Sequence, residues 1–193
     1  HYGLGLTIGN AEARLLELTS AFATLGRLGV HRPYRLLETD QQSESRIFDA
    51  RHAWLIADML SDNDARAQAF GFDSALTFNF PVACKTGTSS EFRDNWAIGY
   101  TPEFTVGVWV GNFDGAPMQG VSGVTGAAPV MHAVMEQLHA RFGTSGFERP
   151  HGLVRAEVNP ITGRRAGRGI AEWFVVGNLP ALETADDFDS DGR

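Results

Sequence analysis

Two alternating runs joined by a short turn constrain this fold more than anything else in the chain. In Phe104–Gly111 the residues Phe104, Val106, Val108 and Val110 fall on one side, and Thr105, Gly107, Trp109 and Gly111 on the other. That is the period of a strand with two unlike faces. Asn95–Thr101 also alternates, with Trp96, Ile98 and Tyr100 together. The join Thr101-Pro102-Glu103 is short and carries a turn proline, so the two strands are predicted to form an antiparallel hairpin. A third strand is predicted over Phe80–Thr88, with Val82, Cys84 and Thr86 on one face.

Helical periods flank these strands. Leu15, Leu18, Phe22 and Leu25 recur at three- and four-residue steps, which predicts a helix over 10–29 with Asn10 as its cap and Gly29 at its close. A second is predicted over 49–60, capped by Asp49. Trp54, Leu55, Ile56, Met59 and Leu60 leave it little polar face, so it is expected to be buried. A third, over 126–142, has the apolar stripe Val130, Met131, Val134, Met135, Leu138 and Phe142. The order helix, helix, three strands, helix predicts an α+β fold, an antiparallel sheet covered by helices. Residues 149–182 read as a connecting extension with one strand-like stretch, Trp173–Val176. Residues 183–193 read as an acidic tail or linker.

Composition excludes several classes. Of 193 residues, 43% are hydrophobic and 20% charged, which is a globular composition. No run of 18 apolar residues offers a membrane span. The net charge is −7, and five acids with one arginine in residues 183–193 put −4 of it there. The remainder is nearly neutral, so nucleic acid is not expected as a partner. Cys84 is the only cysteine, so a disulfide frame is excluded, and it reads as a small buried side chain rather than a reactive thiol. A start at His1 without Met and a finish inside the acidic run suggest cut ends, so a longer protein is expected.

Lys85 is the only lysine among sixteen basic residues. It opens Lys85-Thr86-Gly87-Thr88-Ser89-Ser90 at the end of a predicted strand. Alternation puts Lys85 and Gly87 on one face, and the bare glycine lets a ligand backbone lie close beside the ammonium. Hydroxyls of Thr86, Thr88 and Ser89 stand ready for an anionic group, so the string reads as a carboxylate-binding site. A strand running into a Ser/Thr turn explains the same residues about as well. A P-type pump motif needs an aspartate where this chain has Cys84, and is rejected. The other use of Lys-Thr-Gly is in penicillin-binding proteins and serine β-lactamases.

The surroundings choose between them. Arg93-Asp94-Asn95-Trp96, Gly99-Tyr100-Thr101-Pro102 and Val106-Gly107-Val108-Trp109-Val110-Gly111-Asn112 resemble the strand pair after Lys-Thr-Gly in class A penicillin-binding proteins. Gly123-Val124-Thr125-Gly126-Ala127-Ala128-Pro129 resembles the segment that follows. Leu15–Thr19 with Ala21–Leu25 and Gly29-Val30 is similar to the helix before that strand. Within class A the 1C type is nearest, on Ser61-Asp62-Asn63 through Ala69-Phe70-Gly71 and on Asn159–Gly163 followed by Glu172-Trp173-Phe174. The cysteines that this subgroup often has near the second stretch are absent.

The resemblance implies an incomplete penicillin-binding/serine β-lactamase-like transpeptidase fold, with residues 1–148 as its C-terminal half. It implies a peptidoglycan D,D-transpeptidase without cofactor or metal, acting on D-Ala-D-Ala stem peptides of lipid II-derived glycan strands and blocked by β-lactams. Such an enzyme works at the extracytoplasmic face of a bacterial inner membrane, held by an anchor outside these residues. Lys85 and Thr88 would be catalytic. Thr86, Gly87, Thr88 and Ser89 would bind substrate, with the Thr88 N–H as half of the oxyanion hole.

The chain also departs from the family pattern. The acylated serine lies in Ser-x-x-Lys, yet Val82 stands three places before the only lysine. Ser61-Asp62-Asn63 matches the second element, Ser-x-Asn, but lies only 24 residues before Lys85. A polar turn ending the second helix explains it better. The fragment alone is therefore expected not to be acylated, and its N-terminal half to be missing. Phe104–Gly111 is expected as a bare edge with an exposed apolar face. A non-catalytic module binding peptidoglycan peptides remains an alternative, and a β-lactamase a more distant one.

Three weaker patterns remain. His132, Glu136 and His139 share a helix face but have no recognised zinc spacing, and read as a polar solvent face. Asp187-x-Asp189-x-Asp191-Gly192 matches half of a calcium loop without its closing glutamate. Arg164-Arg165-x-x-Arg168 reads as a solvated turn.

Overall fold

The computed structural model describes residues 3–188. A 3-10 turn over Gly3–Ile8 precedes helix α1, Leu15–Gly26. The helix starts later than the sequence pattern predicts. Asn10 bonds back to Gly5 rather than capping, and Arg14 holds the N-cap position without a side-chain bond. Glu12, Ala13 and Arg14 are exposed, so a longer helix would gain no packing there. Helix α1 also ends earlier than expected, at Gly26 with Arg27 as its C-cap, and the turn that follows contains Gly29. Its φ is +90°, its N–H reaches the Thr24 carbonyl at 2.8 Å, and a Cβ would lie 2.3 Å from the Phe48 carbonyl oxygen.

Strands β1 (Val30–His31) and β2 (Ser45–Arg46) form a small antiparallel pair. Helix α2, Ala50–Ser61, is capped by Asp49, whose carboxylate accepts from the Arg51 N–H. Its burial is partial: Ala53, Trp54 and Ala57 are inside, while Ile56 and Met59 are exposed. A third helix that the sequence pattern did not reveal, α3 (Asn63–Phe70), follows at once. The polar turn expected at Ser61-Asp62-Asn63 shrinks to one residue: Ser61 ends α2, Asn63 opens α3, and Asp62 between them caps α3 through the Ala65 N–H.

The central sheet is β3 (Ala83–Thr88), β4 (Asp94–Tyr100) and β5 (Thr105–Gly111), antiparallel in the order β3-β4-β5. The predicted hairpin closes as Thr101 N–H donates to the Phe104 carbonyl. Helix α4, Ala127–Phe142, packs on one face, where Met131 and Met135 join Val82, Cys84 and Ala97 in the core. Small residues let it approach: a Cβ on Gly99 would sit 2.6 Å from the Met131 sulfur. On the opposite face α1 lies against β5, and Tyr100 packs with Ala57, Ala83, Phe22 and Leu25.

Two expectations about this sheet change. The outer edge of β5 is unpaired among the described residues, but its faces are covered. Val106, Val108 and Val110 pack toward α4, while Gly107 receives Thr19 and Leu15 of α1. The stripe on α4 is also only half used: Val130, Val134 and Phe142 remain exposed.

The extension contains two strands rather than one. β6 (Leu153–Val158) pairs with β7 (Ile170–Val175). Trp173 meets Trp54 edge-on at 5.8 Å, and the Trp54 indole N–H donates to the Phe147 carbonyl at 3.0 Å. The acidic end is tied down as far as Asp187. Glu183 accepts from Asn159 and Thr162, and Asp187 pairs with Arg164 at 2.9 Å. Arg165 donates to the Pro180 carbonyl, so this part of the arginine run serves the fold rather than solvent. Asp189, Asp191 and Gly192 of the calcium-like pattern lie outside the described residues. No helix among the described residues is long and apolar enough to cross a membrane.

Candidate functional site

The hydrogen-bond phase of the sheet decides what the β3 edge offers. Ser89 N–H donates to the Asp94 carbonyl, one step beyond the paired residues Thr88 and Asn95. Bonded and non-bonded pairs alternate along an antiparallel ladder. The backbone groups of Ala83, Lys85 and Gly87 therefore point into the sheet, and those of Cys84, Thr86 and Thr88 point out to the open edge. The Thr101–Phe104 bond gives β4 the same phase independently.

Side chains alternate the other way. Lys85 and Gly87 face one side, opposite Ile98 and Trp96 in register. Thr86 and Thr88 face the side of Cys84 and Ala97. A chain laid along the edge thus meets the ammonium from one face and the hydroxyls from the other. Lys85 is exposed, and its Nζ reaches the outward Thr86 carbonyl at 2.5 Å. Among the described residues it has no carboxylate partner within ion-pair distance. A Cβ on Gly87 would meet only Trp96, at an ordinary 3.5 Å, so internal packing does not require this glycine.

The far side of the strand is backed by the turn Ser122–Gly126. Gly123 N–H donates to Thr88 Oγ1 at 2.9 Å. The sequence reading missed this contact, because only its family pattern marked the segment. Ser89 serves the turn into β4, its Oγ accepting from the Asp94 N–H at 2.8 Å. In that turn Glu91 and Phe92 adopt φ of 59° and 57°, a left-handed pair costing about 1–2 kcal/mol per residue. Met118 N–H steadies it by donating to the Phe92 carbonyl. No glycine betrayed this strain in the sequence.

The segment before β3 is anchored by α3. The Asn63 amide donates to the Phe78 carbonyl at 2.9 Å, and Arg66 donates to the Val82 carbonyl at 3.2 Å. Asn63 of the Ser-x-Asn look-alike is thus occupied in holding the strand's approach. Cys84 is buried, and burial pushes its thiol up to about 12, only partly opposed by Arg66. It is inert, as the sequence suggested.

The histidines of α4 do not form a solvent face. His132 stacks on Phe78 at 4.4 Å and bonds the Ala75 carbonyl, and His139 stacks on Phe80 at 3.9 Å and bonds Thr144. Among the described residues no cluster of three or more metal-ligating side chains occurs. An apolar cleft of about 520 Å³ lies elsewhere, lined by Thr24, His31, Pro33, Tyr34 and Phe48.

Comparison with known proteins places the fold. No family model matches the chain. The crystal structure of penicillin-binding protein 1A from Haemophilus influenzae superposes with a TM-score of 0.78 at 17% identity, over 93% of this chain and 34% of that one. The fold is therefore that of a penicillin-binding protein. Penicillin-binding protein 1C of Escherichia coli is 31% identical over 185 residues, covering 92% of this chain and 24% of that protein. Penicillin-binding protein 1A of Clostridium perfringens is 28% identical over 189 residues, 84% of this chain and 22% of that one. The chain belongs to the penicillin-binding proteins, homologous to the 1A and 1C types over most of its length, and spans about a quarter of the length of these relatives.

Proposed function

We propose that this chain supplies the third catalytic element of a peptidoglycan D,D-transpeptidase, the edge that grips the donor's terminal carboxylate. The observation that carries the reading is Lys85, an exposed ammonium without a carboxylate partner among the described residues, at an open edge beside outward-pointing backbone groups. A D-Ala-D-Ala stem peptide would lie along β3. The Lys85 ammonium and the Thr86 and Thr88 hydroxyls would hold its carboxylate, with Ser89 at the strand's end. The Thr88 N–H would donate to the carbonyl oxygen as it gains charge. A serine attacks that carbonyl, the terminal D-Ala leaves, and an amine of a neighbouring strand takes the acyl group from the ester. No Ser-x-x-Lys occurs in the 193 residues, so that serine belongs to another part of a longer protein. β-Lactams would occupy the donor's place, and the whole enzyme would work outside the bacterial inner membrane.

The test is binding of N-acetyl-D-Ala-D-Ala to this chain, followed through the amide resonances of residues 85–89. Lys85→Met is expected to weaken it at least about tenfold, the scale of a charge-assisted contact. Unchanged affinity would overturn the reading. A fluorescent penicillin should leave no covalent label on this chain, and stoichiometric labelling would count against the missing nucleophile.

The absence of Ser-x-x-Lys also favours a second reading, a module that binds peptidoglycan peptides without chemistry. Sequencing the gene upstream of His1 separates the two. An in-frame Ser-x-x-Lys followed by Ser-x-Asn supports the transpeptidase, and an open frame without them supports the module.

A further inference from the structure

We propose that the Ser122–Gly126 turn is a positioning element that aims the Thr88 hydroxyl at the ligand, acting through the Gly123 N–H. The inference rests on the carboxylate-binding reading of the β3 edge and adds a residue to it. A threonine hydroxyl has one proton to give and two lone pairs to receive. Here one lone pair is taken by the Gly123 N–H at 2.9 Å, across 35 positions of sequence. No acceptor among the described residues takes the hydroxyl's own proton, which is left for an incoming anion. A hydroxyl with both lone pairs free turns to suit the solvent. One already engaged by a fixed donor has its proton confined to the remaining directions.

The turn is built to hold that donor still. Gly123 admits no side chain, because a Cβ would stand 2.7 Å from both the Gly87 and Trp96 carbonyl oxygens, all backbone. Thr125 N–H and Gly126 N–H both return to the Ser122 carbonyl, and Ser122 N–H donates to Thr125 Oγ1 at 3.0 Å. Ala128 N–H donates to the Gly123 carbonyl at 2.8 Å, which ties the turn to the first residues of α4. That helix is fixed in turn by the buried Met131 and Met135. The direction of one hydroxyl at the edge is thus referred to the core.

A double-mutant cycle on this chain tests it, with N-acetyl-D-Ala-D-Ala as the probe and melting curves to confirm folding. Thr88→Val and Gly123→Ala should each weaken binding about tenfold, and the double variant should bind no worse than either alone. Thr88→Ser should restore affinity. If Gly123→Ala does not fold, Thr125→Val loosens the turn without crowding β3 and should show the same lack of additivity with Thr88→Val. Losses that multiply in the double variant would overturn the proposal, since the turn would then act independently of the hydroxyl. Lys85→Met separates the two layers of the argument. If it leaves affinity unchanged, the carboxylate reading fails and takes the inference with it. If it weakens binding while the other losses multiply, only the positioning role falls.

Discussion

The two outer edges of the central sheet have the same backbone chemistry and different surroundings. Along β3 the groups of Cys84, Thr86 and Thr88 point outward, and along β5 those of Thr105, Gly107, Trp109 and Gly111 do. Neither edge has a strand partner among the described residues. At β5, α1 and α4 close over the faces, and Gly107 is filled by contact with Thr19 and Leu15. At β3, the turn at Gly123 backs one face while Lys85 and Gly87 leave the other accessible. An unpaired edge therefore does not define a site. What singles out β3 as the candidate is the edge together with an unpartnered charge and a face that packing has left empty.

Hydrogen exchange gives the widest contrast. Amides of Lys85, Gly87, Val106 and Val108 should exchange at least about a hundredfold more slowly than those of Thr86, Thr88, Gly107 and Trp109, because only the first set bonds within the ladder. N-acetyl-D-Ala-D-Ala should slow Thr86 and Thr88 and leave Gly107 and Trp109 unchanged. Equal protection of neighbouring residues would refute the assigned phase, and protection at β5 would put the ligand on the wrong edge.

The glycines sharpen the comparison in stability. Gly107→Val places a Cβ 2.0 Å from Thr19 Oγ1 and 3.3 Å from Leu15 Cδ1. It should cost about 2–3 kcal/mol as α1 is pushed off the sheet. The Cβ of Gly87→Val would meet only Trp96, at 3.5 Å, so urea unfolding should move by less than about 1 kcal/mol while dipeptide binding is lost. If the two valines cost the same, the open face at Gly87 is not open.

Much of this was legible in the residues. The alternation around Thr101-Pro102-Glu103 fixed the hairpin, and the Asp49 cap fixed the start of α2, because both are local. What was not legible depends on distant partners. The start of α1 follows from packing, since Glu12, Ala13 and Arg14 are exposed and extra turns there would bury nothing. Ile56, Met59, Val130 and Val134 look like core by period, yet the described residues leave them 40–59% exposed. Alternation in Leu153–Val158 was present but hidden among Pro, Gly and Arg. At the candidate site, Lys85, Thr86, Gly87 and Thr88 were singled out by their own string, whereas Gly123 is 35 positions away from the hydroxyl it meets.

The smallest expected effect separates the edges by pH. Glu103, in the β4–β5 turn, accepts from the Ser145 N–H at 2.9 Å and from its hydroxyl at 2.5 Å. Partial burial raises its carboxyl, but the bonds from Ser145 and Thr101 outweigh that and leave it below the ordinary value of 4.5. A carboxyl depressed in the folded state stabilises above its unfolded value, and that contribution is lost as pH falls through the folded one. The group is exposed, so screening limits the contribution to about 0.5 kcal/mol. Urea midpoints measured downward from pH 6 should show this acid limb in the parent and in Lys85→Met, but less of it in Glu103→Gln. If Lys85→Met also flattens the limb, the two edges are electrostatically coupled and the separation argued from their packing is wrong.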